Sequence, residues 1–341
     1  MAAKGKIQSL MGRFSEYIPL KLLIKISRQK LILPFYHSVS DNYLPHLSNL
    51  YKAKTSHEFE KDLDFLLQHF NPVDLHYVKN NSERGITDPV FHLSFDDGLS
   101  ELKSIIAPIL KRKGIPATIF INSAFIDNKA LFYRYKASLL IDAIKSKSFS
   151  KIENQEIEKV LGISETSLAA TTNTLLRINY QQQEILEKIA SIVKIDFDAY
   201  LKKKNPYLTS QEIIDLQQQG HSIAAHSIDH PEFRFLELEE QIRQVNESLQ
   251  FVKSNFNPPI HSFSFPFTDY GVGNDFFREL EKLNICDISF GCAGLKLDSV
   301  IQHFQRIAFE NEQHSAEQTL KYEYFYFILK SLIVKNKIRR T

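Results

Sequence analysis

The sequence predicts an α/β fold, specifically a distorted seven-stranded (β/α) barrel with a helical insertion. Three observations lead there. Short β-rich apolar runs recur seven times along the 341 residues, amphipathic helical patterns separate them, and one long stretch breaks that alternation. Continuous apolar runs suit strands buried on both faces of a parallel sheet, and alternation with helices argues right-handed crossovers. Seven strands in one chain of this length suggest an incomplete or distorted barrel more than an open doubly wound sheet.

Residues 1–30 read as an N-terminal extension. They carry lysines but no uninterrupted apolar segment and no small-residue cleavage pattern, so no signal peptide is read and a cytoplasmic location is expected. The barrel spans residues 31–320, with strands at Leu31–His37, Val90–Phe95, Ala117–Asn122, His221–His226, Ser262–Pro266, Ile285–Phe290 and Gln305–Phe309. Apolar residues at helical spacing mark His57–His69, Leu99–Lys113, Ser210–Gln219, Leu238–Ser254 and Asp275–Leu283, with N-caps expected at Ser100, Ser210 and Asn274.

From about residue 125 to 206 the chain turns rich in Lys, Glu, Gln and Ser. The apolar spacing in Tyr135–Ile144, Glu156–Leu161 and Gln182–Ile192 is helical, which predicts an insertion after the third strand covering one side of the site mouth. Residues 321–341 form an apolar, aromatic helix with a basic end. Its apolar part is shorter than the about 20 residues needed to span a bilayer. A helix packed on the core with a solvated tail is one reading, and peripheral contact with an anionic membrane surface is the other.

A net charge of +2, from 42 Lys+Arg against 40 Asp+Glu, gives no global nucleic-acid footprint. Only Cys286 and Cys292 occur, too few for a disulfide framework or a cysteine-rich zinc site; both are expected to be small buried residues.

The chemistry concentrates at strand ends, where a barrel places its active site. Ser94-Phe-Asp-Asp-Gly98 ends an apolar strand in two adjacent carboxylates. Neighbouring side chains at a strand end diverge, so one carboxylate can bind a metal while the other faces an attacking water. His226-Ser-Ile-Asp-His230 ends another strand, and its histidines share a face if the segment turns helical. Joined to Asp97, they supply two nitrogens and one carboxylate and leave coordination positions open.

These two motifs, in this order, resemble those of the polysaccharide deacetylase superfamily, carbohydrate esterase family 4: Thr/Ser-Phe-Asp-Asp-Gly and His-Ser/Thr-x-x-His. The resemblance covers roughly residues 30–125 and 205–310 and itself favours a barrel. It implies Asp96 as catalytic base and Asp97, His226 and His230 as ligands of a divalent metal, Zn2+ first, with Ni2+, Co2+ or Fe2+ as alternatives. The chain departs from the family where Ser264 stands in Phe263-Ser-Phe-Pro-Phe267 at the place of a common arginine, and the absence of Trp removes the Asp-Trp motif. Leu33-Pro-Phe-Tyr-His37 instead resembles the first-strand segment of a circularly permuted branch that includes poly-N-acetylglucosamine deacetylases, which implies His37 as general acid, with His303 the competitor.

Arg306, in Gln305-Arg-Ile-Ala, also resembles the end of the permuted-branch domains; the resemblance implies an inward-facing arginine that replaces the missing one by pairing with Asp96, against a plain surface charge on a late strand. Asp269 and Asp298 read as turn carboxylates. The implied reaction is hydrolysis of N-acetyl, or O-acetyl, groups from a polysaccharide, oligosaccharide or lipid-linked glycan precursor. A metal would polarise the carbonyl and acidify water, and a backbone N–H after Pro266 would help hold the oxyanion. Two other readings fit the residues less well. A carbohydrate-binding protein without turnover has no need of Asp96, and a facial-triad iron oxygenase does not explain the Asp-Asp-Gly neighbour.

Overall fold

The computed structural model describes residues 14–81, 85–310 and 314–340. Residues 1–13 of the N-terminal extension lie outside that description. All seven apolar runs form parallel strands of one sheet, in the spatial order His303–Gln305, Ile288–Gly291, Ser262–Ser264, Ser222–Ala225, Ala117–Ile121, Leu93–Phe95, Pro34–Tyr36 and Ile307–Ala308.

The first and last segments of that order belong to one stave, interrupted at Arg306. Its first half pairs with Ile288–Gly291 and its second half with Pro34–Tyr36, so a single stave joins both edges and nearly closes the barrel. β-Branched and aromatic residues fill the staves, and every residue of Ala117–Ile121 is buried, as a strand covered on both faces requires.

The helices fall where the apolar spacing placed them, with caps shifted by a residue. Helix Ser210–Gln218 is capped by Thr209, not Ser210: the Thr209 hydroxyl accepts from the Glu212 N–H while Glu212 returns to Thr209, a reciprocal capping box. Adjacent hydroxyl residues left the sequence unable to choose between them. Asn274 is already helical, preceded by Gly273 without a side-chain cap. After Ser100 the chain enters a π-helical turn, Leu102–Ile106, before helix Ala107–Lys113, and no side chain caps either one.

The inserted stretch contains helices Tyr133–Ser146, Lys151–Leu161, Leu168–Arg177, Glu184–Val193 and Phe197–Lys204. Leu168–Arg177 and Phe197–Lys204 were not read from the sequence. The first is rich in Thr and Asn, weak helix formers, and the second is short and ends in three lysines. Leu140, Ile157, Leu175, Leu186 and Ile189 give these helices a core of their own.

At the C-terminus, helix Ala316–Ser331 buries Ala316, Leu320, Tyr324 and Phe327 and packs on helix Leu20–Ser27. The tail beyond it is not simply solvated. Lys337–Ile338 pairs in parallel with Leu297–Asp298, and the Arg340 side chain is buried among acidic groups. Leu332, Ile333 and Val334 remain exposed. Among the described residues no helix is long and apolar enough to cross a membrane.

Candidate metal and hydrolytic site

The chemistry-bearing residues follow the C-terminal ends of successive staves: His37 after Pro34–Tyr36, Asp96 and Asp97 after Leu93–Phe95, His226 after Ser222–Ala225, and Glu310 after Ile307–Ala308. A pocket of about 280 Å3 opens there, with His37, Asp96, Asp97, His230 and Arg306 in its wall.

Asp97, His226 and His230 each turn one ligand atom toward a common point, with all three atoms within 4.8 Å of one another. Asp97 Oδ1 lies 3.3 Å from His230 Nε2 and 3.6 Å from His226 Nε2. Asp97 Oδ1 and His226 Nε2 are buried without a hydrogen-bond partner, an arrangement costing about 1–3 kcal/mol per orphaned group. A divalent cation at their convergence would satisfy both, and two imidazoles with one carboxylate form a suitable donor set. The residues present therefore fit the metal.

The surroundings hold these ligands in the required protonation state. His226 Nδ1 lies 2.9 Å from the Ser264 carbonyl and 2.6 Å from its hydroxyl, which fixes the ring with Nε2 toward the site. Burial lowers the His226 pKa to about 4, leaving a neutral imidazole at pH 7. The Asp97 carboxyl is driven far down: burial pushes the other way, but nearby His230, His37 and His226 outweigh it. Its second oxygen accepts a 2.5 Å hydrogen bond from the Tyr135 hydroxyl.

The two histidines are not brought together by a helix. Residues 226–230 form an irregular turn in which Ser227 (φ 70°) and His230 (φ 65°) adopt left-handed conformations. Asp97 (φ 70°) and Phe267 (φ 55°) do the same. Such backbone costs about 1–3 kcal/mol per residue and collects at functional sites. Gly98 (φ 65°) follows Asp97, and a Cβ there would stand 3.0 Å from Ile121 Cγ2 and 3.1 Å from Ile126 Cδ1, so the Asp-Asp-Gly turn needs its glycine.

Asp96 forms a bidentate pair with Arg306, at 2.7 Å for each of two N–H···O contacts. Arg306, 1% exposed, also donates to Ser94 Oγ at 3.1 Å and lies between the Phe35 and Phe120 rings. Burial would raise the Asp96 pKa, but the guanidinium outweighs it and keeps the carboxylate ionised. The other Asp96 contact of note is with His226, whose Nε2 is 3.9 Å from Asp96 Oδ2. Ser264, standing where the family commonly has an arginine, places its hydroxyl 3.5 Å from Asp96 Oδ1.

His37 sits across the pocket with its ring about a quarter exposed, its Nδ1 2.5 Å from Glu310 Oε2. Glu310 also accepts from the backbone N–H groups of His37 and Ser38. Burial alone would lower the His37 pKa; Glu310, helped by Asp97 and Asp96, raises it to about 10. His303 does not line the pocket. It is buried between Ser289 Oγ, 2.7 Å from Nδ1, and Asp269 Oδ2, 3.1 Å from Nε2. Asp269 and Asp298, read as turn carboxylates, are buried partners of Arg340. Cys286 and Cys292 are free and partly buried, and Cys292 borders the pocket.

Sequence reasoning missed Glu310, Tyr51, Phe132, Arg134 and Tyr135, all at or beside the pocket. Glu310 carried a usable signal, because it ends a stave just as Asp96 does. Phe132, Arg134 and Tyr135 come from the insertion, where nothing in the local pattern marks a site residue.

The polysaccharide deacetylase family matches residues 84–285, more than half of the chain. No curated protein matches the sequence significantly. Among solved structures, the chain is similar to the Streptococcus pyogenes deacetylase PplD in complex with acetate: 13% identity, TM-score 0.56, covering 86% of this chain and 98% of that one. IcaB from Ammonifex degensii aligns with 13% identity and TM-score 0.52, over 86% and 97%. A de-N-acetylase from Aggregatibacter actinomycetemcomitans aligns with 14% identity and TM-score 0.51, over 85% and 99%. At such identities these likenesses speak for the shared fold, and the family match speaks for descent: the chain belongs to the polysaccharide deacetylase family.

Proposed function

We propose that this chain is a metal-dependent deacetylase that removes N-acetyl groups from a glycan, and that it belongs to the permuted branch in which the acid sits on the first stave. One observation carries the reading. A convergent trio of Asp97, His226 and His230, a clamped carboxylate at Asp96 and a His37 paired with Glu310 meet at one pocket, lined by Asp97, His230, Asp96 and His37.

Asp97, His226 and His230 would hold a divalent ion, which when bound would supply Lewis-acid polarisation of the acetyl carbonyl and acidify water. Asp96, ionised at neutral pH through Arg306, takes a proton from the attacking water at a carboxylate oxygen. Arg306 holds that carboxylate in place, since two parallel charge-assisted bonds fix both its plane and its position. His37, kept as imidazolium by Glu310, returns a proton to the leaving amine through Nε2, as its Nδ1 is committed to Glu310. The Phe267 N–H, in the left-handed turn after Pro266, is the backbone candidate for steadying the oxyanion.

The test is acetate release from a panel of N- and O-acetylated glycans, run beside metal analysis of the purified protein. The reading expects close to one divalent ion per chain and release from N-acetylated sugars. A metal-free protein that releases acetate at full rate would remove the metal from the account. The three solved relatives named above are a deacetylase complexed with acetate, IcaB and a de-N-acetylase, which supports acetyl removal as the chemistry.

A further inference from the structure

Of the cationic side chains lining the pocket, two are already committed: Arg306 to Asp96 and His37 to Glu310. The third, Arg134, has no carboxylate within 4.0 Å among the described residues, and one of its nitrogens donates to the Leu176 carbonyl. That bond ties the guanidinium to the carbonyl end of helix Leu168–Arg177, whose dipole offsets part of the charge but supplies no carboxylate, so the side chain stands partly buried, fixed and without an ion-pair partner.

Arg134 lies in the first turn of helix Tyr133–Ser146. That turn carries no acidic residue and its N-cap makes no side-chain hydrogen bond, so the positive end of the helix dipole adds to the same field. A pocket of about 280 Å3 is at the small end for a ligand site, so it takes the reacting sugar and leaves any neighbouring group at the mouth. An unpaired, partly buried cation beside a substrate pocket selects a negatively charged partner, because a neutral ligand leaves it unsatisfied whereas an anion gains a charge-assisted bond.

We infer that Arg134 is a specificity-determining residue and that the substrate is an anionic glycan: an acetamido sugar bearing, or next to, a carboxylate or a phosphate. This rests on the deacetylase reading and deepens it. Uronic acids and phosphodiester-linked sugars share that chemistry, and separate arms of the test distinguish them.

The experiment compares three ligands: a neutral N-acetylglucosamine disaccharide, its counterpart with a uronate neighbour, and its counterpart with a phosphodiester. Affinity is measured by calorimetry on Asp96→Asn protein at 50 and 500 mM salt, and kcat/KM on the protein with Asp96 intact. Both are repeated with Arg134→Gln, which removes the charge but keeps a donor for Leu176. The inference expects at least one anionic ligand to be preferred about fivefold, roughly the upper end of what one partly exposed charge pair supplies. That preference should shrink at high salt and fall to about parity in Arg134→Gln, mainly through KM. Equal affinity for neutral and anionic ligands, or a preference that survives Arg134→Gln, overturns it. If no ligand is deacetylated, the deacetylase reading falls, while the calorimetric comparison still decides the role of Arg134.

Discussion

At the scale of single residues, the account turns on which groups are satisfied and which are not. Asp97 Oδ1 and His226 Nε2 are buried without partners, so Asp97→Ala or His226→Ala should leave the protein unable to retain stoichiometric metal, measured by elemental analysis after dialysis. Tyr135→Phe removes the hydroxyl that orients Asp97. It should weaken metal affinity by roughly tenfold, in line with other losses of groups that orient metal ligands, as read by competition with a chromogenic chelator.

The His37–Glu310 pair gives a pH prediction. His37 can donate only while protonated, and its pKa, raised to about 10 from 6.5, keeps it so across neutral pH. Activity should therefore fall as pH rises through about 10. In Glu310→Gln the largest attraction is gone, leaving only Asp97 and Asp96 against burial, so the alkaline limb of kcat should move down from about 10 toward 6.5. An unmoved limb would exclude His37 as the acid.

The sequence singled out Asp97, His226 and His230, which the structure brings together, because they form two compact strand-end motifs. Arg306 was legible through the resemblance of its segment to the end of permuted-branch domains, where it answers the arginine absent at Ser264. Glu310 was legible in principle, at a stave end, and was passed over because a lone carboxylate there carries no motif. Tyr135 and Arg134 were not legible: their place depends on how the insertion folds back over the barrel, which local pattern does not encode.

At the scale of elements, the C-terminal tail is the part the sequence described least well. Its basic residues suggested a solvated end, yet Arg340, nearly fully buried, donates to both Asp269 and Asp298, which also accept from Gln305. The Asp269 loop continues from Phe267, which borders the pocket. Removing one partner of a buried ion cluster leaves uncompensated charge, so Arg340→Ala should cost about 3 kcal/mol in urea unfolding. Arg340→Ala with Asp298→Asn should recover part of that.

The same cluster sets an acid limit. Burial would raise the Asp269 pKa, but His303, Arg340 and Gln305 depress it well below the ordinary 3.8. Its contribution is fully present above pH 3.8 and is lost as pH falls through the lower folded value. The left-handed turns at His226–His230 and Asp97–Gly98 are the other departure from the sequence reading. A four-residue spacing suggested a helix, but positive-φ residues make the same juxtaposition in an irregular turn.

At the scale of the whole molecule, the barrel was legible because its determinants are repetitive: seven apolar runs, most of them followed by a helix. What that count could not reveal was the closure, in which one stave broken at Arg306 pairs with both sheet edges. The break serves the site as well as the fold, since it projects Arg306 inward between Phe35 and Phe120 to meet Asp96.

Because the metal would hold together turns from two staves, its removal should loosen the whole molecule. A site saturated a thousandfold above its Kd contributes about 4 kcal/mol, so chelation should lower Tm by several degrees and zinc should restore it.

The most direct test of the central claim is acetate release by Asp96→Asn protein, with bound metal measured in the same sample. The account predicts that metal content stays close to that of the protein with Asp96 intact while release from an N-acetylated glycan falls by at least about a hundredfold. Unchanged acetate release by that metal-loaded variant would contradict it.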